Sequence, residues 1–290
     1  MKNCSHGEIM EESKILMHPS QICLSLSGVR FEISHAKEFF NPNTAAINPA
    51  HIHNCLEIFL NISSDASFFV NNSLYPLRYG DVVLAMPNDI HVCLFNKSYT
   101  HEHFCLWIDT AERADLFSFL FQKNQGPLFR FEEEKQKKLI ELFFRLEKLC
   151  QNHESDLQKT ACFLEILSFF EKISSPEQPA VPMPDVLQTI LNDIHNNFAQ
   201  IHHINQLTDR YFISHATLNR WFRQYLHTSP REYLESKKLA HAVKLLSEGA
   251  TVTEACINAG FPCCSHFIAL FKKKFGKTPL QYKKGLNKSS

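Results

Sequence analysis

The last third of the chain repeats itself. Phe222-Arg-Gln-Tyr-Leu-His-Thr-Ser-Pro-Arg-Glu-Tyr233 matches Phe271-Lys-Lys-Lys-Phe-Gly-Lys-Thr-Pro-Leu-Gln-Tyr282 at an offset of 49 residues. An aromatic residue, a basic turn, a Ser/Thr-Pro step and a tyrosine stand in register in both copies. Ser229 or Thr278 is placed to cap the helix that follows, and Pro230 or Pro279 suits its first turn, where no N–H is needed. Each copy closes a two-helix unit. In the first, Ile204 and Leu207 form the apolar face of a short helix, Ile213 and Ser214 make the turn, and Leu218, Trp221 and Phe222 bury the second helix. In the second, Val252, Ala255, Cys256 and Ala259 form that face, Gly260 allows the tight turn, and Phe267, Leu270 and Phe271 bury the next helix. Alanines at 255 and 259 let the helix pair close up.

Helical spacing extends over the whole C-terminal part, in segments 186–198, 204–211, 215–226, 231–246, 252–259 and 265–275. Upstream lies Ser-Ser-Pro-Glu-Gln-Pro-Ala-Val-Pro-Met-Pro-Asp, a composition that holds no helix and reads as a linker over residues 176–186. Before it, short runs such as Leu56 to Leu60, Ser67 to Val70, Asp81 to Ala85 and His103 to Trp107 recur between the turn signals Asn71-Asn72-Ser73 and Tyr79-Gly80-Asp81. That spacing predicts an antiparallel barrel or sandwich between Ile22 and Ile108. Helices are predicted over Ala111 to Gln122, Glu132 to Asn152 and Asp156 to Ile173. Two readings of these helices compete: they close one end of the barrel, or one of them pairs with its copy in a second subunit. The fold class is therefore α+β in two domains, residues 1–175 and 187–290, with helix-turn-helix motifs over about 205–226 and 252–275.

A chain of 290 residues has room for two such cores. Its 30 basic and 30 acidic residues balance overall, yet a cut after Pro184 leaves 16 Lys+Arg against 23 Asp+Glu before it and 14 against 7 after it. An N-terminal part at −7 and a C-terminal part at +7 imply that the basic half meets a polyanion. The ten cysteines include no CxxC pair and no framework spacing, which suits reduced thiols. Glu8, Glu11 and Glu12 break any signal-peptide pattern, and no apolar run approaches ~18 residues. A cytoplasmic bacterial protein with no membrane partner is expected. No nucleotide-binding glycine loop or nucleophile motif is evident, so no catalytic residue is assigned.

The strings Ile-Ser-His-Ala-Thr-Leu-Asn-Arg-Trp-Phe (213–222), Ser-Pro-Arg-Glu-Tyr-Leu (229–234) and Lys-Lys-Leu-Ala-His-Ala-Val-Lys-Leu-Leu (237–246) are followed by Ala-Gly-Phe (259–261), His-Phe (266–267), Phe-Lys-Lys (271–273) and Phe-Gly-Lys-Thr-Pro (275–279). From about Val186 to Lys284 the chain resembles the DNA-binding domain of arabinose-type regulators, the AraC family. The resemblance implies a sequence-specific regulator of transcription that binds double-stranded DNA through two helix-turn-helix units, as a homodimer, with RNA polymerase as a further partner. It makes Ala216, Asn219 and Arg220 the base-facing positions of the first recognition helix, with His215, Thr217 and Arg223 beside them. Arg220 suits a bidentate contact to guanine, and Asn219 one to adenine. In the second unit the matching positions are Cys264, Ser265, His266 and Ala269. Many family members carry arginine where Ala269 stands and an acidic residue where Cys263 stands. With Lys272, Lys273, Lys274 and Lys277 nearby, this unit suits phosphate positioning. The first unit is thus expected to carry most of the specificity and the second to anchor the complex.

In this family such a domain usually follows a cupin-like barrel that binds a small-molecule effector. His51-Ile-His53, Glu57 four residues on, Tyr79-Gly80-Asp81, Pro87 and His91 resemble the cupin metal-binding pattern. His51, His53, Glu57 and His91 are accordingly the candidate effector pocket. No cofactor is expected; the competing reading is a divalent metal held by these four residues, and its extreme form is a metal-dependent cupin enzyme tethered by its basic domain. A non-specific nucleic-acid binder is the third possibility.

Overall fold

The computed structural model describes residues 23–26, 29–40, 50–63, 66–70, 72–95, 99–110, 117–121, 126–171 and 183–286. Most of the proline-rich linker, residues 176–182, lies outside them, as do Asn71 and most of the expected helix 111–122, of which a short 3-10 turn at Ser118–Phe121 is described.

Nine strands come first: β1 (Cys23–Leu26), β2 (Val29–Phe40), β3 (Leu56–Asn61), β4 (Ala66–Val70), β5 (Ser73–Pro76), β6 (Val82–Ala85), β7 (His91–Phe95), β8 (Tyr99–Asp109) and β9 (Leu128–Phe129). Two antiparallel sheets result, one in the order β1-β2-β8-β3-β6-β9 and one in the order β5-β4-β7. Of the expected barrel or sandwich, the described residues form two sheets stacked face to face and no closed barrel. The reason lies in strand alternation. In β3, Leu56, Ile58 and Leu60 point to one side, with Glu57 and Phe59 to the other; in β8, Phe104, Leu106 and Ile108 oppose Cys105 and Trp107. The first set packs on helices α1 (Glu133–Gln151) and α2 (Asp156–Ser168), where the rings of Phe31 and Phe163 stack with centroids 4.4 Å apart. The second set meets Phe68, Val70 and Tyr75 of the smaller sheet. These two helices start and stop within a few residues of the predicted limits, and Ser155 with Gln158 forms a capping box at the second.

The helical part follows as α3 (Asp185–Asn197), α4 (Asn205–Arg210), α5 (His215–Leu226), α6 (Pro230–Ser247), α7 (Val252–Asn258), α8 (Cys264–Phe275) and α9 (Pro279–Leu286). Its core, built on Leu187, Leu218, Phe222, Leu239, Phe267 and Phe271, also takes in Phe69, Leu74, Val92 and Leu94 from the outer face of the small sheet. That sheet is consequently buried on both faces. Tyr233 crosses the seam, its hydroxyl donating to Asn72 Oδ1 at 2.9 Å and its ring meeting Phe69 edge-on. No described helix is long and apolar enough to cross a membrane, and the eight cysteines from Cys55 to Cys264 are free thiols.

Candidate nucleic-acid interface and buried histidine cluster

The first helix-turn-helix unit is α4, a short turn and α5. Ser214 caps α5 by accepting from the Thr217 N–H at 3.1 Å. Leu218, Phe222 and Leu226 face inward from α5 at helical spacing, which leaves His215, Ala216, Asn219, Arg220 and Arg223 exposed together, with Thr217 half-buried at their margin. Asn219 Nδ2 donates to the His215 carbonyl at 2.9 Å, so its side chain lies along the helix surface beside Arg220. The turn is made by Phe212, which takes the left-handed conformation (φ 52°) while 95% exposed. The sequence places this turn at Ile213 and Ser214, and nothing in it marks the bulky Phe212 as a left-handed residue.

The second unit is α7, a turn at Gly260 (φ 76°) and α8. Glycine is required there, because a Cβ would stand 2.1 Å from the Ala199 carbonyl oxygen. Thr251 and Glu254 form the capping box of α7, but Cys263 at the start of α8 makes no side-chain cap. Ser265, Ala269, Lys272 and Lys273 are exposed along α8, and Cys264 is half-buried. His266 is half-buried, with Nε2 3.7 Å from the Glu235 carboxylate on α6. Lys274 also turns away from the lysine face; burial lowers its pKa, and its charge is felt at His51 across the seam.

Between the units, α6 runs for 18 residues, about 27 Å at 1.5 Å per residue. Ser229 and Glu232 cap it reciprocally, and Pro230 occupies its first turn. Halfway along, the buried Lys238 ammonium donates to the carbonyls of Ile201 at 2.9 Å and Gly260 at 2.7 Å, tying the loop before the first unit to the turn of the second. Lys238 stood in the family-like string with no role attached; a lysine among aliphatic residues gives no sign that its head is buried.

The four candidate pocket residues do converge, each offering one ligand atom within 4.8 Å of the others. Glu57 sits on β3, His91 opens β7, and His51 is bridged to His91 by paired backbone hydrogen bonds of 3.0 and 3.1 Å. His53 Nε2 lies 2.8 Å and His91 Nε2 3.3 Å from Glu57 Oε2. The same oxygen accepts from the Trp107 indole N–H at 2.8 Å, a contact between residues 50 positions apart that the run His103 to Trp107 does not reveal. Burial opposes the charge of Glu57, but the imidazoles of His91 and His53 outweigh it and hold its carboxyl well below the usual carboxylate range. Burial foremost, then His91 and His53, holds the His51 imidazole well below its ordinary value. Three imidazoles and a carboxylate whose ligand atoms converge fit a divalent transition metal by donor type.

Residues 207–285 match the family described as a helix-turn-helix domain. The transcriptional activator RhaS of Escherichia coli (strain SMS-3-5 / SECEC) is 25% identical over 279 residues, covering 87% of this chain and 97% of its own length. Among solved structures, ToxT from Vibrio cholerae O395 is 15% identical with a TM-score of 0.36, covering 90% of this chain and 99% of its own. The C-terminal domain of the response regulator yesN from Fusobacterium nucleatum is 24% identical with a TM-score of 0.33, over 34% of this chain and 99% of that domain.

Proposed function

For a chain that is a helix-turn-helix transcriptional regulator of the AraC type, we propose that its two DNA-reading units divide the labour. The chain is a DNA-binding regulator rather than an enzyme. The first unit reads base edges through Ala216, Asn219 and Arg220, flanked by His215, Thr217 and Arg223. The second, with Cys264, Ser265, His266 and Ala269 along its helix, anchors on phosphates through Lys272 and Lys273. One observation carries this division: α5 presents an arginine, an asparagine and a second arginine on one exposed face, whereas the matching face of α8 offers serine, alanine and lysines. Planar bidentate donors discriminate bases; ammonium groups supply charge with little sequence information.

The N-terminal part, residues 1–175, serves as a cupin-like sensor for a small effector at His51, His53, Glu57 and His91, the linker spans 176–186, and residues 187–290 form the DNA-binding domain. The exposed Leu157 and Leu164 on α2 favour assembly of a homodimer through that helix, so that a pair of chains reads two asymmetric sites. A cytoplasmic bacterial setting and contact with RNA polymerase complete the reading.

Selection of binding sites from a random duplex pool tests it. The wild-type chain is expected to enrich one asymmetric sequence, Arg220→Ala to enrich none, and Lys273→Ala to enrich the same sequence at lower affinity. Equal loss of specific and random duplex binding with Arg220→Ala would remove that residue from the reading set.

A further inference from the structure

Three cysteines gather at the turn of the second helix-turn-helix unit. Cys256 lies on α7 and is buried, Cys264 opens α8 and is half-buried, and Cys263, between them in the chain, is exposed. Across the turn, the Cys256 thiol has the Cys264 side chain as its hydrogen-bonding neighbour. Burial first, then that neighbour, pushes the Cys256 thiol up to about 12. The buried thiol is therefore held protonated, and Cys264 is the member of the pair that a small oxidant in water reaches first.

The parts around this pair are not equally fixed. The turn between the two cysteines is pinned, because Lys238 donates to the Gly260 carbonyl at 2.7 Å and Gly260 packs so closely on Ala199 that even a Cβ would strike it. At its start α7 has the capping box of Thr251 and Glu254. By contrast α8 begins without a side-chain cap, since Cys263 makes none. A disulfide holds its sulfurs about 2.05 Å apart, well inside the separation of two hydrogen-bonded thiols. Closing one between Cys256 and Cys264 therefore draws the uncapped start of α8 towards α7. That movement tilts Lys272 and Lys273, which stand exposed farther along the same helix.

We propose that Cys256 and Cys264 form a redox pair that hydrogen peroxide closes to a disulfide, and that closing it loosens the second unit's hold on DNA. Peroxide oxidises the Cys264 sulfur to a sulfenic acid: an S–O bond forms, the O–O bond breaks and water leaves. The Cys256 sulfur then attacks the Cys264 sulfur; the S–S bond forms, and hydroxide departs with the Cys256 proton as a second water. One peroxide is thus reduced to two waters as two thiols are oxidised, and a dithiol such as dithiothreitol reverses the change. The effect on DNA rests on the anchoring role given above to the second unit.

The test treats the reduced full chain with hydrogen peroxide and weighs the tryptic peptide spanning residues 245–272, which holds all three cysteines. A loss of two hydrogens is expected in the wild-type chain and in Cys263→Ser, where Cys256 and Cys264 are the only thiols left in the peptide. Dithiothreitol should restore the mass, and Cys256→Ala should abolish the cross-link. Peroxide is expected to lower wild-type affinity about tenfold on selected and random duplexes alike, within the usual range of coupling between sites, and dithiothreitol to recover it. Cys256→Ala, which lies outside the DNA-contacting set, is expected to match the reduced wild-type chain and to lose the response. No cross-link in Cys263→Ser overturns the pair, and a cross-link that leaves affinity unchanged overturns the switch. A loss confined to the selected duplex upholds the switch and overturns the anchoring role. Circular dichroism checks folding; should Cys256→Ala unfold, Cys263→Ser before and after peroxide decides the matter.

Discussion

The ammonium of Lys238 donates to the carbonyl of Gly260 at 2.7 Å, and both groups are buried between the two helix-turn-helix units. Since the same ammonium holds the Ile201 carbonyl, one side chain sets the spacing of the two readers. Lys238→Met keeps the aliphatic stem but strands two carbonyls. Hydrogen bonds to a charged group contribute about 1.5–3 kcal/mol each, so a loss of about 3 kcal/mol in the helical domain is expected. Urea unfolding followed by circular dichroism measures it.

Two glycines separate backbone strain from steric collision. Gly249 and Gly260 both have positive φ, but a Cβ at Gly249 would meet nothing within 4 Å, whereas at Gly260 it would strike Ala199. Gly249→Ala is expected to cost about 1–2 kcal/mol, the ordinary left-handed penalty, and Gly260→Ala clearly more. Similar midpoints for the two variants would contradict the close approach at Gly260.

Phe212 occupies the matching turn of the first unit in the conformation that suits glycine or asparagine. Its ring is 95% exposed, so little packing is lost on replacement. Phe212→Asn is expected to stabilise the chain by about 1 kcal/mol, read as a raised thermal midpoint.

His35 on β2 links Glu147 of α1 and Glu102 of β8. The hydrogen bond to Glu147 raises its pKa above 6.5, burial opposes that, and Glu102 adds to the rise. A raised histidine stabilises fully below its unfolded pKa, and that contribution is lost as pH climbs through the folded value. Stability of the N-terminal domain is expected to fall as pH rises above the mid-6s, and the fall should flatten in His35→Gln. Thermal midpoints across pH 5.5–8.5 follow it, these limits chosen as roughly one to two units either side of about 6.5.

Lys272 and Lys273 stand exposed on α8, where the duplex is expected to pass. Each phosphate contact contributes roughly 0.9 to the slope of log affinity against log salt. Replacing both by alanine should therefore lower the slope by about 1.8 on specific and random DNA alike. A slope that changes on the specific duplex alone would make these lysines readers of sequence.

The amino-acid sequence by itself determined the repeat, the caps at Ser214, Ser229 and Thr278, the apolar faces of α5 and α8, and the alternation that builds the strands. Each depends on residues close together in the chain, whose periodicity and capping chemistry are local. It also marked His51, His53, Glu57 and His91, through the short spacing of the first three and a familiar pattern. Only the tertiary structure decided what lies at long range. It resolved the expected barrel or sandwich into two stacked sheets, brought His91 and Trp107 onto Glu57, buried Lys238 between the units, drew Lys274 half under cover, and seated the DNA-binding domain on Ile52 and Val92. Those outcomes follow from which surfaces lose water together, and residues that share such a surface can lie 161 positions apart, as Asn72 and Tyr233 do.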